Sequence, residues 1–331
     1  MPATNDLLLG IDGGGSKTIA WLALCAGAKT PEVIGRGTAG GSNPQAAGFP
    51  AALENLARAV AAAFGDAALT PRPTGAMVLL GKTYGNLVAA AVVALAGCDR
   101  DEDREALSRW AEDCRLARRF RVVHDAVPVL AAGTPEGWGV ALISGTGSFA
   151  FGQDARGRSA RSGGWGYLLG DEGSAYAIAL AGLRAAVRAA DGRAPATLLL
   201  ATILQQLGLQ RPEQLVPAVY QPEPDRATIA GLAQLVLKTA EAGDAAAAEI
   251  VGQAARDLAA MVAAVAKKLD FAGGPFPLAL AGSVLLGSGM LQSGLMTELT
   301  NLGLQAGPVG RVPEPVAGAV ALALKESTPR A

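Results

Sequence analysis

The apolar positions of this chain fall into short unbroken runs and longer stretches with helical spacing. "LLLGI", residues 7 to 11, reads as a buried strand that runs into the glycines of "IDGGGSKT", residues 11 to 18. "IAWLAL" follows with strand character, so strand, glycine turn and strand predict a β-hairpin. Residues 51 to 63 read as a helix, and "GAMVLLG", 75 to 81, as a buried strand. "NLVAAAVVALAGC", 86 to 98, reads as a buried helix; its 13 residues fall short of the ~20 needed to span a bilayer. The charged stretch 101 to 119 predicts another helix, and "FRVV" a strand ending at His124 and Asp125.

After a short helical piece the pattern restarts. "GVALISGTGSFAFG", 139 to 152, is again strand, glycine turn, strand, and "SGGWGYLLGDEGSAY" leads into a helix through about residue 190. Residues 195 to 224 carry five prolines and read as short helices joined by loops. A long alanine-rich helix is expected over 244 to 269, then a strand and turn in "PLALAGSVL", and a last helix after Pro315. Alternation of this kind predicts α/β domains. No short-period repeat is present, so the echo between the halves is one of architecture.

Composition narrows the function classes. Of 331 residues, 50% are hydrophobic and 17% charged, with a formal net charge of −1, which describes a globular protein with large cores. No basic block marks a nucleic-acid or lipid surface, and no basic start followed by a long apolar run marks a signal peptide. The cytoplasm is the expected location, with no membrane or nucleic-acid partner. Three scattered cysteines, Cys25, Cys98 and Cys114, argue against a disulfide framework and against zinc, and a single histidine rules out a histidine-rich metal site.

The glycines with Ser16, Lys17 and Thr18 are suited to holding phosphate. A Walker loop needs the lysine directly after the glycine and a helix behind it; here Ser16 intervenes and a strand follows. The dinucleotide pattern fails on spacing as well. What remains is a hairpin turn whose backbone N–H groups face phosphate, with Asp12 placed to hold magnesium through water. "ISGTGS", 143 to 148, is a second such turn, and "LAGSVLLGSG", 280 to 289, a third glycine-serine segment. A structural hairpin without a ligand is the plain alternative for any one of them.

"DGGGSKT", "HDA", "SGTGS", "GGWGYLLGDEGSAY" and "LAGSV" occur in an order that resembles the BadF/BadG/BcrA/BcrD-type ATPases over nearly the whole chain. The resemblance implies two actin-like (ribonuclease H-like) α/β domains around a nucleotide cleft, residues 1–126 with the last helix 315–326 packed back on them, and residues 127–314. One branch of that family holds an iron–sulfur cluster between subunits, but the cysteines here are not placed for one. Similarity to the sugar-kinase branch implies that Mg²⁺–ATP phosphorylates the 6-hydroxyl of N-acetylglucosamine. A kinase of glucosamine or N-acetylmuramic acid, or an ATPase switch acting on a protein partner, are the alternatives. A homodimer is compatible with the resemblance.

By that resemblance Asp125 is the catalytic base and contacts the sugar; the alternative is a helix cap. His124 is expected to point away, because neighbours on an extended chain face opposite ways. Asn43 in "GGSNP", 40 to 44, matches the residue that holds the sugar ring, or else an ordinary turn. Pro44 and Gln45 after it depart from the eukaryotic pattern. Gly164, Trp165, Gly166 and Asp171 are expected at the sugar, with Glu172 holding the loop; capping of the following helix is the other reading of the two acids. Nucleotide contacts are expected from Gly14, Gly15, Ser16, Lys17 and Thr18, from Gly145, Thr146 and Gly147, and from Gly282, Ser283 and Gly287.

Overall fold

A computed structural model describes residues 7–25, 30–69, 87–98, 101–220 and 226–328. The chain divides into two compact units, residues 1–137 with 314–331, and residues 138–313. The division falls after Gly137 instead of after residue 126, because the helix that follows Asp125 packs with the first unit.

The first unit contains β1 (Leu7–Gly13), β2 (Lys17–Leu24), β3 (Glu32–Gly40), the short α1 (Pro44–Ala47), α2 (Phe49–Asp66), β4 (Val88–Leu95), α3 (Asp101–Asp113), β5 (Arg119–His124) and α4 (Ala126–Gly133). Its sheet has the order β3-β2-β1-β4-β5, antiparallel through the three-strand meander and parallel at β1, β4 and β5. Alternation sorts β1 between two cores: Leu7, Leu9 and Ile11 face α2 and α3, while Leu8 faces the opposite layer. The expected strand at 75–81 lies outside the described residues.

The expected helix at 86–98 is a strand. All eight residues of β4 are buried, with Ala91, Val93 and Leu95 on one face and Ala90, Val92 and Ala94 on the other. A central strand covered on both sides shows an unbroken apolar run, and burial here overrides the helix preference of alanine.

The second unit contains β6 (Gly139–Ser144), β7 (Ser148–Gln153), β8 (Ser159–Gly163), α5 (Ala175–Ala190), α6 (Leu198–Gln206), α7 (Leu215–Val219), α8 (Arg226–Gly231), α9 (Ala233–Glu241), α10 (Ala245–Lys268), β9 (Phe276–Ala281), α11 (Ser283–Gly287), α12 (Gly289–Asn301) and β10 (Ala306–Val312). Its sheet, β10-β9-β6-β7-β8, has the same meander and the same two parallel neighbours as the first. The last helix, α13 (Val316–Ser327), returns to the first unit and covers the face that carries Leu8. Among the described residues no helix is long and apolar enough to cross a membrane.

Candidate functional site

In the first unit the candidate residues gather at the carboxyl ends of the parallel strands, where α/β sheets place their ligands. The register aligns Gly13 with Leu95, and Leu95 with His124, so Asp12, Gly97 and Asp125 come to one edge of the sheet. The hairpin turn between β1 and β2 closes with Gly14 N–H donating to Lys17 O at 2.9 Å. Among the described residues the N–H groups of Gly15 and Ser16 have no partner, and both residues are exposed. Amides turned outward at a glycine bend are what an anion requires.

The "GGSNP" segment lies directly beneath this turn. Ser42 N–H and Asn43 N–H both donate to Gly14 O, at 3.0 and 3.2 Å. A Cβ on Gly41 would strike Gly15 O, so the two loops meet backbone to backbone. Thr18 is fully buried, with its hydroxyl 2.7 Å from Gly40 O and 2.8 Å from Ser42 Oγ. Its side chain therefore belongs to the seat of the turn, while Ser16 and Lys17 form its rim. Asn43 Oδ1 caps α1 by accepting from Gln45 N–H at 2.9 Å. This fixes the amide and leaves Nδ2 without a protein partner among the described residues. Gly97, at φ +78°, is the other wall: a Cβ there would lie 2.5 Å from Asn43 Oδ1. Ser42 and Gly97 escaped the sequence reading: Ser42 stands beside Asn43 in "GGSNP" without a role of its own there, and Gly97 stands in no recognisable motif.

Asp125 occupies the N-cap position of α4, yet its side chain makes no capping hydrogen bond. The cap alternative is therefore not what the carboxylate does. Its charge reaches Asp12, whose carboxyl is pushed up to about 7, first by burial and then by Asp125, with Lys17 pulling the other way. Two carboxylates with a single lysine nearby leave negative charge that a divalent cation would balance. Among the described residues no cluster of three or more His, Cys, Asp or Glu side chains could hold a metal by itself. A cation at Asp12 would need oxygen ligands from water and phosphate, which suits magnesium.

His124 does not point away. Its Nδ1 lies 2.9 Å from Asp125 Oδ1. The expected alternation requires extended backbone through both residues, but Asp125 has already turned helical, at φ −59° and ψ −21°.

In the second unit the turn at 145–147 closes with Gly145 N–H donating to Gly147 O at 3.0 Å, and among the described residues the N–H groups of Thr146 and Gly147 are unpaired. Gly282 packs against this turn: a Cβ on it would strike Ser144 O, and its φ is +97°. Ser283 follows on the exposed start of α11, with Gly287 at that helix's far end. The serines flanking the turn hold the loop behind it, Ser144 Oγ donating to Gly173 O at 2.8 Å and Ser148 Oγ to Glu172 O at 2.6 Å.

Asp171 is buried in the left-handed region at φ 60°. Its carboxyl lies under the turn and accepts from Ser148 N–H at 3.4 Å. Burial pushes its pKa up, against the Ser148 N–H, Arg226 and the Gly166 N–H. The cap of α5 is Ser174, whose Oγ accepts from Ala177 N–H at 3.2 Å, so the capping hydrogen bond comes from neither Asp171 nor Glu172. Gly164, Trp165 and Gly166 lie on an exposed loop, with Trp165 66% exposed and Arg161 over its ring.

Cys98 and Cys114 are buried in the first core, and burial, then Asp113, pushes the Cys114 thiol up to about 11. A thiol held protonated is a poor ligand for an iron–sulfur cluster.

Two sheets of one topology, each opening on a glycine hairpin with outward amides, define a two-unit α/β protein of the actin-like ATPase class. The chain belongs to the BadF/BadG/BcrA/BcrD ATPase family, whose model matches residues 9–323. The N-acetyl-D-glucosamine kinase of Dictyostelium discoideum is 30% identical over 325 residues, 97% of this chain and 98% of that protein. The N-acetylmuramic acid/N-acetylglucosamine kinase of Clostridium acetobutylicum is 36% identical over 197 residues, 60% of this chain and 64% of that relative's length. A solved structure of a candidate N-acetylglucosamine kinase from Chromobacterium violaceum shares the fold, with a TM-score of 0.69 at 24% identity over 97% of this chain and 99% of that one.

Proposed function

We propose that the chain is an ATP-dependent amino-sugar kinase that transfers the γ-phosphoryl group to the 6-hydroxyl of N-acetylglucosamine. The observation that carries this reading is Asp125: a carboxylate at a helix N-cap that caps nothing, in the field of a second carboxylate, Asp12. The names of the two curated relatives supply the substrate.

In the reaction the sugar oxygen bonds to the γ-phosphorus as the bond to ADP breaks. The hydroxyl proton passes to the Asp125 carboxylate. Phosphoryl transfer has a loose transition state, so alignment and charge neutralisation matter more than proton removal. Asn43 serves as a donor through Nδ2, because Oδ1 is already committed to Gln45. Gly164, Trp165, Gly166 and Asp171 form the remaining sugar contacts, and Glu172 steadies their loop. The free amides of Gly15, Ser16, Thr146 and Gly147 take the phosphates, with Gly14, Lys17, Thr18 and Gly145 shaping the two turns that present them, and Gly282, Ser283 and Gly287 serve the adenosine side. Magnesium held through water by Asp12 would neutralise the phosphate charge.

The test is ADP release by the whole protein with Mg²⁺–ATP and a panel of N-acetylglucosamine, N-acetylmuramic acid, glucosamine, N-acetylmannosamine and glucose. Near silence without sugar and the highest kcat/KM on N-acetylglucosamine are expected. Turnover indifferent to sugar would replace the kinase with an ATPase switch, and a preference for N-acetylmuramic acid would move the substrate. Asp125→Asn is expected to bind both substrates and lose roughly 10²–10⁴ in kcat; near-normal turnover would remove Asp125 from the mechanism.

A further inference from the structure

His124 is the chain's only histidine, and the reading above gives it no task. Its Nδ1 faces two groups, Asp125 Oδ1 at 2.9 Å and the Ala126 N–H at 3.2 Å. One ring nitrogen cannot donate and accept at once. Nδ1 is placed to accept from the Ala126 N–H, but against an ionised Asp125, which offers only acceptors, the shorter 2.9 Å contact is attractive only with the hydrogen on Nδ1. Ala126 is the first residue of α4, where a backbone N–H has no helical partner in any case. The opposite arrangement would set a bare nitrogen lone pair against the carboxylate.

Asp125 makes no cap bond, and among the described residues His124 is the side chain in contact with its carboxylate. His124 is the last residue of β5, its backbone in register with Leu95 of β4, and its side chain is largely covered.

We propose that His124 is a positioning residue for the base: Nδ1–H holds Oδ1 and so sets the plane in which Oδ2 meets the sugar hydroxyl. This rests on Asp125 being the base. In the step, the proton leaves the sugar oxygen for Asp125 Oδ2 while that oxygen bonds to phosphorus and ADP departs with the electrons of the broken bond. No proton passes through the ring. A carboxylate free to rotate at the end of a strand would spend less time aligned, and misalignment by about an ångström costs up to ~10²-fold in rate.

Four variants of the whole protein test this: His124→Leu, His124→Asn, Asp125→Asn, and the double variant His124→Leu with Asp125→Asn. Asparagine keeps a donor near the place of Nδ1, and leucine does not. Calorimetric sugar binding counts the folded molecules in each sample. His124→Leu is expected to lower kcat at least about tenfold with both KM values unchanged. His124→Asn is expected to recover most of that loss. On the Asp125→Asn background, removing His124 is expected to cost nothing more, because a positioning residue acts through the carboxylate. A His124→Leu variant with wild-type kcat, an asparagine variant as impaired as the leucine one, or a further loss in the double variant would each overturn the proposal. Should Asp125→Asn itself turn over normally, the base assignment fails first, and that result is read separately from the other three.

Discussion

Asp244 serves two helices with one carboxylate. As N-cap of α10 it accepts from Ala247 N–H at 2.9 Å, and it also accepts from Leu198 N–H at 2.8 Å and from Thr197 Oγ at the start of α6. Burial pushes its pKa up, but the hydrogen bonds from Ala247, Leu198, Thr197 and Ala246 together outweigh it and hold the carboxyl below the usual carboxylate range. A group with a lowered folded pKa contributes its stability above its unfolded value, near 4, and loses it as pH falls through the folded value. Asp244→Ala is expected to cost about 1–2 kcal/mol at neutral pH, with the gap to wild type narrowing below pH ~4. Urea midpoints at both pH values check this, and a gap that stays constant would refute the ionic account. The candidate residues show which placements a sequence reveals. The position of Asp125 between a strand and a helix, and the two glycine turns, were legible because strand, turn and helix start are local patterns. The His124 contact was not, since it depends on the dihedral angles of one residue, and the burial of Thr18 depends on a loop more than 20 positions away.

Between elements, β3 and α2 of the first unit meet backbone to backbone. A Cβ on Gly37 would strike Ala59 O and lie 2.5 Å from Ala63 N, backbone that cannot move aside without shifting the helix. Gly37→Ala is expected to cost about 2–4 kcal/mol and to lower the Tm by roughly 5–10 °C. Gly65→Ala on the exposed side of α2, where an added Cβ meets nothing within 4 Å, is the control. It is expected to be neutral or stabilising by up to about 1 kcal/mol, since alanine is the better helix former. A melting curve for Gly37→Ala that overlays wild type would show that strand and helix are not locked. The same packing explains what could be read of the elements. Hairpins bounded by glycine and helices with a polar face carry their own signature. β4 did not, because a strand buried on both faces loses the alternation that distinguishes it from a buried helix. β3 and β10 were missed as well: each is an edge strand with few buried positions, and β3 gives up side chains to let α2 approach. The shared order of the two sheets left no sequence repeat, since topology depends on which faces are covered and not on which residues cover them.

Over the whole molecule the chain leaves the first unit after Gly137, builds the second, and returns at Glu314. Every residue of the second unit's core falls within 138–313, whereas the first unit's second face is covered by α13. Val316, Ala319 and Ala323 are fully buried there, and Gly10 is bare so that Val320 N can come within 2.7 Å of where a Cβ would stand. Arg119 donates to Glu326 O at 2.8 Å and to Thr328 O at 3.0 Å, and Arg121 pairs with Glu326 at 2.9 Å, which ties the end of α13 to β5. Burying each valine is worth about 1.5–3 kcal/mol, against ~5–15 kcal/mol for a domain in total. A chain stopped at Pro313 would leave Leu8, Trp21, Ala90, Val92 and Ala94 facing water. Hydrogen exchange is expected to show β1 and β4 losing protection while β6, β9 and α10 keep theirs. Protection of β1 and β4 equal to that of the full chain would make α13 dispensable, and a collapse of both units would refute their independence. Because Asp12, Asn43 and Asp125 all stand on the unit that α13 completes, the shortened chain is also expected to release no ADP on any sugar, even where its second unit remains folded.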